Sequence, residues 1–300
     1  MSLRNDCTAK RLYRRPVIIL LVLFLIPSFI NAQEFGASTP QKGMYLLKIF
    51  PKIFYTSAYF SDAGKAMNLP TVTGLLYLEV PVQVQYGLSG ALAVGAIVPF
   101  GWTYQEILPT IREDPINRFT VREVWLTVQH RWWTIPFISS SSLRVKIPLA
   151  DKEDWEDGLR IGDGQVDVFP VYYFDYYNNT NYWFTKFNIG YKYRFKNDDI
   201  KPFDELNFKA VLGYEVWERP KLDFFIYADL TRFRNGDFGE INREFFEEEG
   251  SLHTYGYGVS LEPYTLMQIY IATAGDWSGR NQYRGMRWTL GIRKALGSNK

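Results

Sequence analysis

The chain has two histidines, His130 and His253, and one cysteine, Cys7. A histidine can activate a serine nucleophile only when the two side chains lie within hydrogen-bond reach. Ser251 stands two residues before His253, and the first serine after His130 is Ser139. Neither spacing makes a nucleophile–base pair by itself, and a histidine at a membrane interface also serves as a polar-tipped side chain. No catalytic residue is assigned, and the chain is read as not an enzyme. A second chemistry is oxygen ligation of Ca²⁺ or Mg²⁺ by crowded acids. Asp151, Glu153, Asp154, Glu156 and Asp157 form one cluster, and Glu244, Glu247, Glu248 and Glu249 another. Neither fits a twelve-residue calcium loop, so both are read as solvated acidic loops, with no metal and no cofactor.

The third set is the largest. If the polar parity of each strand faces inward, a ladder of charges lines an interior. The bases are Lys48, Lys52, Arg131, Arg144, Lys146, Lys186, Lys192, Arg194, Lys209, Arg287 and Arg293; the acids are Glu79, Glu123, Asp167, Glu215, Asp223 and Asp229. Unpaired charges in a low-dielectric interior are costly, so opposite signs should pair. Two uses remain open for them: salt bridges that hold a barrel shut, or a charged conduit whose basic strands favour anions. Lys192 or Arg194 is expected to bond Asp167, Glu215, Asp223, Asp229 or Glu79.

These charges need strands to position them. In Gly74–Tyr104, Leu76, Leu78, Val80, Val82, Val84 and Tyr86 share one parity, and Tyr77, Glu79, Pro81, Gln83 and Gln85 the other. Gly87-Leu88-Ser89-Gly90 turns the chain, and the alternation resumes in Leu92, Val94, Ala96, Val98 and Phe100. Period 2 over arms of roughly ten residues predicts long β-strands, suited to tilted strands that cross a bilayer. The same alternation recurs in Trp183–Lys196, Glu205–Trp217 and Arg284–Leu296. Twelve candidate strands run from Met44 to Leu296, the eleventh over Thr265–Ala274. Short connections alternate with longer polar ones, as turns and loops do at the two ends of a membrane barrel. The expected fold is all-β: a single antiparallel transmembrane β-barrel of about 12 strands.

The N-terminus predicts export. Arg4, Lys10, Arg11, Arg14 and Arg15 precede the apolar run Val17–Ile30, and Asn31-Ala32 offers a cleavage point. That run is short of the roughly 20 residues a spanning helix needs. The expected division is a cleaved signal peptide over 1–32, a periplasmic lead-in over 33–43 and the barrel over 44–300. Lys and Arg number 34 against 32 Asp and Glu; without the leader they are 29 and 31, a net of −2. That balance gives no case for nucleic acid. The one cysteine goes with the leader, and aromatics at 17% of the chain suit the interfacial girdles of a barrel. The implied location is the outer membrane of a Gram-negative-type bacterium.

Two landmarks carry a family resemblance. Tyr86-Gly-Leu-Ser-Gly-Ala-Leu-Ala-Val-Gly-Ala-Ile-Val-Pro99-Phe100 is a strand, short turn and strand ending in proline-aromatic. Lys146-Ile-Pro148-Leu-Ala-Asp151 and then Gly162-Asp163-Gly164-Gln-Val-Asp167 join a Pro-ended strand to a Gly-x-Gly-x-x-Asp start. The pair resembles a family of bacterial outer-membrane barrels named after the meta-pathway of phenol degradation. The resemblance implies a passive channel or uptake protein for small hydrophobic or aromatic molecules. Its partners would be the bilayer, a small-molecule solute and the barrel-insertion machinery. The usual terminal aromatic signal for that machinery is missing, which leaves Trp288, Leu290 and Ile292 for recognition. Two other readings stay open on the residues alone: a lipid-modifying enzyme of phospholipase or deacylase type, and a closed structural barrel.

Overall fold

The computed structural model of the protein describes residues 37–61, 63–69, 72–107, 116–121, 123–149, 165–178, 180–196, 203–234, 250–264 and 266–297. Residues 1–32, expected to be a signal peptide, residues 33–36 of the expected lead-in, both acidic clusters and Gly162-Asp163-Gly164 lie outside the described residues.

Fifteen strands form one antiparallel sheet: β1 (Tyr45–Ile49), β2 (Lys52–Phe60), β3 (Ala66–Asn68), β4 (Val72–Gly87), β5 (Leu92–Ile107), β6 (Ile116–Val121), β7 (Glu123–Trp133), β8 (Ile138–Pro148), β9 (Asp167–Asn178), β10 (Trp183–Arg194), β11 (Asp204–Glu218), β12 (Lys221–Arg234), β13 (Ser251–Tyr264), β14 (Met267–Arg280) and β15 (Gln282–Leu296). They make twelve staves. β1 and β2 are one stave broken at Pro51, which has no N–H to give a ladder. The ladder survives there because Phe50 N–H donates to the Pro81 carbonyl at 3.2 Å and Leu290 N–H to the Pro51 carbonyl at 3.1 Å. β6 and β7 are one stave, both paired to β5. β3 only extends β2. β1 and β2 each pair with β15 on one side and β4 on the other, and β4 pairs with β5, so the ring closes.

Burial is inside out relative to a soluble protein. On β10 and β11 the apolar parity is exposed, with Ile189 at 49%, Leu212 at 51% and Tyr214 at 53%, while Phe184 and Val211 on the other parity are each at 3%. A belt of exposed Leu, Ile, Val and Phe that circles a closed sheet far exceeds the few hundred Å² of apolar patch a soluble monomer shows, and it matches a lipid-facing surface. Trp132, Trp133, Tyr182, Trp217 and Tyr264 are exposed near the short-turn end, and Phe119, Tyr193, Phe195 and Trp277 near the loop end. Between Trp183 and Tyr193 a tilted strand spans about 25 Å, the height of such a belt.

Inside, aromatic rings lie over glycines of the neighbouring strand. A Cβ on Gly213 would meet the Phe184 ring at 2.1 Å, and one on Gly291 the Tyr270 ring at 1.8 Å. These rings join Phe50, Ile97, Val211, Phe225, Tyr227, Ala272 and Ala274 in one buried apolar cluster. Most of its members stand on β10–β14.

The eleventh strand is longer than its sequence pattern indicates. It was expected to end at Ala274; β14 continues to Arg280, and Asn281 alone joins it to β15 with φ 50. Asparagine tolerates that left-handed conformation. The pattern is obscured by a bulge: Thr254 pairs with Asp276 and His253 with Ser278, so Trp277 is the extra residue. Asp276 anchors the bulge. It accepts from the Arg287 guanidinium, from Thr254 Oγ1 at 2.6 Å and from Gly285 N–H at 2.9 Å. Removing one partner of a buried pair leaves an uncompensated charge. Arg287→Ala is therefore expected to lower stability by about 3 kcal/mol, read from urea unfolding of the lipid-reconstituted barrel. Arg280→Ala, at the exposed end of β14, should shift it far less.

Candidate functional site

The interior charges form neighbouring pairs set by the ladder. β10 and β11 pair Lys192 with Glu205, and Lys192 Nζ lies 2.8 Å from Glu205 Oε2. Arg194 bonds the other oxygen of the same carboxylate. The expected partners of Lys192 and Arg194 are Asp167, Glu215, Asp223, Asp229 or Glu79; Glu205 is a partner outside that set. It shares its parity with Lys209 and Glu215 and was legible as inward; only the register shows that it sits opposite Lys192. Lys209 pairs with Asp229 at 3.0 Å, one strand over. Lys52 and Glu79 face each other at 3.7 Å, and Tyr77 Oη donates to Glu79 at 3.0 Å. Lys146 and Asp167 form a fully buried pair at 2.8 Å.

Seven of the seventeen charged residues surround one cavity of about 350 Å³: Lys52, Glu79, Glu123, Arg144, Lys192, Lys209 and Asp229. Glu205 joins them, which makes four bases and four acids. The rest of the wall is Pro81, Ile97, Pro99, Trp125, Phe169, Val171, Tyr173, Asn188 and Asn207. Arg144 donates to Tyr173 Oη and lies 5.5 Å from the Phe169 ring. Lys192 stands 5.9 Å from the Trp125 ring, whose N–H donates to Glu123 at 2.8 Å. The electrostatics are therefore balanced. Such a wall gives π-faces to an aromatic ring and no net attraction for anions over cations.

The other charges sit elsewhere. Glu215 bonds Lys221 at 2.7 Å and Asp223 accepts from Ser260 Oγ at 3.0 Å, both near the β11–β12 turn. Arg131 donates to the Gly90 carbonyl at the β4–β5 turn. Arg287 holds Asp276. Lys48, Lys186 and Arg293 gather around Asp175, an inward acid that the sequence reading passed over although it shares the parity of Asp167.

The same end holds part of the lead-in. Ala37 is fully buried against Val171 and Tyr173, and its N–H donates to Asp175 at 3.1 Å. Ser38 Oγ accepts from Arg293 at 3.3 Å. Pro40 and Gln41 pass so close to Gly87 that a Cβ there would lie 2.1 Å from the Gln41 carbonyl oxygen. Residues 37–41 thus lie at the turn end of the barrel, with Ala37 against Val171 and Tyr173, two side chains that line the cavity.

The histidines stand apart from this site. His253 Nδ1 lies 2.9 Å from Ser278 Oγ, a serine in the stretch expected to be loop. Among the described residues nothing bonds the other ring nitrogen of His253. His130 stacks on Trp132 at 4.3 Å, and no serine bonds its ring among the described residues. No group of three or more metal-ligating side chains occurs among the described residues.

Comparison with known proteins decides the family. The family described as "Putative MetA-pathway of phenol degradation" matches residues 61–287. The chain belongs to this family. Its fold resembles the crystal structure of an outer membrane channel from Pseudomonas putida F1, with a TM-score of 0.69 at 11% identity over 89% of this chain and 100% of that one. Looser likenesses are the translocator domain of the autotransporter NalP from Neisseria meningitidis (TM-score 0.45, 10% identity, 96% of this chain and 97% of that one) and the CymD monoaromatic hydrocarbon channel (0.43, 11%, 91% and 95%). No curated protein matches the chain. The family member described here is an outer-membrane β-barrel.

The faces of β10 can be read chemically, since Cys7 is the only cysteine. In liposomes, Asn188→Cys should react with a small water-soluble thiol reagent and Ile189→Cys only with a lipid-soluble one. The reverse result would mean that every residue of that strand has swapped faces.

Proposed function

We propose that this protein is a passive channel for small aromatic molecules and not an enzyme. One observation carries the reading: an interior cavity of about 350 Å³, walled by Trp125, Phe169 and Tyr173 and by charges of both signs in equal number. That volume lies at the lower end of ligand pockets, about 300–1,000 Å³, and suits a single ring. The solute passes Lys52, Glu79, Glu123, Arg144, Lys192, Lys209 and Asp229. The remaining charged residues serve as lumen-lining pairs that keep the barrel in shape. The outer membrane channel of similar fold supports the reading. An enzyme is disfavoured because His253 and Ser278 lack a third orienting group among the described residues.

Planar bilayers test the channel. Purified folded protein is expected to give small discrete current steps, blocked by monocyclic aromatics and not by hexoses. Folded protein that passes no current, with aromatics or without, would sink the reading. Replacing His253 or Ser278 by Ala should leave the steps and the lipid composition unchanged.

We further propose that residues 1–32 are removed on export, that 33–43 begin the mature chain as its periplasmic lead-in, and that Trp288, Leu290 and Ile292 present the last strand to the insertion machinery. N-terminal sequencing of the outer-membrane form should start at Gln33. A mature chain that retains Val17–Ile30 would overturn the export reading.

A further inference from the structure

The interior has two unlike halves. Beside β10–β14, buried Phe184, Phe225, Tyr227 and Tyr270 pack into the apolar cluster. Beside β4, β7 and β8 the inward residues include Gln83, Gln85, Thr127, Gln129, Ser140 and Ser142, each buried to nine-tenths or more. The ladder ties this polar wall to the cavity. Gln83 pairs with Ile97 and Ile97 with Trp125, so Gln83 lies in one row with two cavity residues. Gln85 pairs with Gly95, Gly95 with Thr127, Thr127 with Arg144 and Arg144 with Phe169, and the last two also line the cavity.

Hydrogen bonding on this wall is incomplete. Gln85 donates to Gln129 at 3.2 Å, and Gln129 donates to Ser140 at 2.9 Å. Gln83 Oε1, Gln85 Oε1 and Thr127 Oγ1 are buried and meet no partner among the described residues. Buried polar atoms are nearly always satisfied, and leaving one unmet is costly. Three of them side by side, next to a cavity with aromatic walls, mark a place built for a polar group that arrives from the cavity.

We propose that Gln83, Gln85 and Thr127 form a hydrogen-bonding subsite that takes the hydroxyl of a small aromatic solute whose ring rests in the cavity. A hydroxyl both donates and accepts, so it satisfies either end of a glutamine amide and the threonine oxygen. A plain hydrocarbon of the same size displaces water from these atoms and returns no bond, so it binds more weakly. The solute then moves on through the interior. This last step rests on the channel reading; the subsite does not.

Benzyl alcohol and ethylbenzene have the same number of heavy atoms and differ in hydroxyl against methyl. Calorimetric titration of each into folded, detergent-solubilised protein tests the subsite without need of current. Wild type should bind benzyl alcohol about tenfold more tightly than ethylbenzene. Gln83→Leu and the near-isosteric Thr127→Val should each weaken benzyl alcohol about fivefold and leave ethylbenzene unchanged. Thr127→Val keeps the test valid if Gln83→Leu does not fold. Equal binding of the two ligands to wild type, no binding of either, or equal loss of both in the folded variants would overturn the proposal. Discriminating binding in a protein that passes no current would overturn the channel reading and leave the subsite standing.

Discussion

Closure of the sheet is the constraint on which the rest of this molecule depends. In hydrocarbon no water can bond a free N–H or C=O, so a spanning sheet must have no edge. Here the seam is made by a broken stave: β1 and β2 bond β15 and β4 together, although Pro51 sits between them. The ladder tolerates the proline because the carbonyls of Pro51 and Pro81 still accept on either side. Once the ring is closed, alternation sends every second side chain into a small interior and the others into lipid.

That interior solves two problems with different chemistry. Charges are satisfied pairwise by cross-strand neighbours: Lys192 and Arg194 with Glu205, Lys209 with Asp229, Lys52 with Glu79, Lys146 with Asp167. Space beside β10–β14 is filled by rings laid over glycines, Phe184 over Gly213 and Tyr270 over Gly291. The cavity lies where neither solution is complete, between paired charges and three aromatic side chains. Its equal count of bases and acids removes the anion preference that strands rich in lysine and arginine suggest when read one at a time.

The turn end of the interior holds a segment that belongs to no strand. Residues 37–41 are short and polar, with little in their pattern to fold them. They are held by what the barrel presents: the Asp175 carboxylate for the Ala37 N–H, Arg293 for Ser38, and the absent Cβ of Gly87 for the backbone of Pro40 and Gln41. Such a segment is ordered by its container.

The sequence by itself determined the strand period, the twelve staves and which face of each strand meets lipid. It also marked the short turns after β4, β7 and β11, because a period of two and turn chemistry are local properties. The inward parity of Glu205 and Asp175 was equally legible. Only the tertiary structure decided which residue meets which: Glu205 opposite Lys192, Asp276 beneath Arg287, Ser278 beside His253. Parity states the face of a residue, while its partner depends on the stagger between strands and on bulges. The extra Trp277 shifts the pairing of the residues beyond it by one and hides a strand that its pattern would otherwise reveal. The cavity and its half-satisfied wall come last in this order. They depend on how twelve separate parities converge across a closed ring, and no single stretch of sequence contains that.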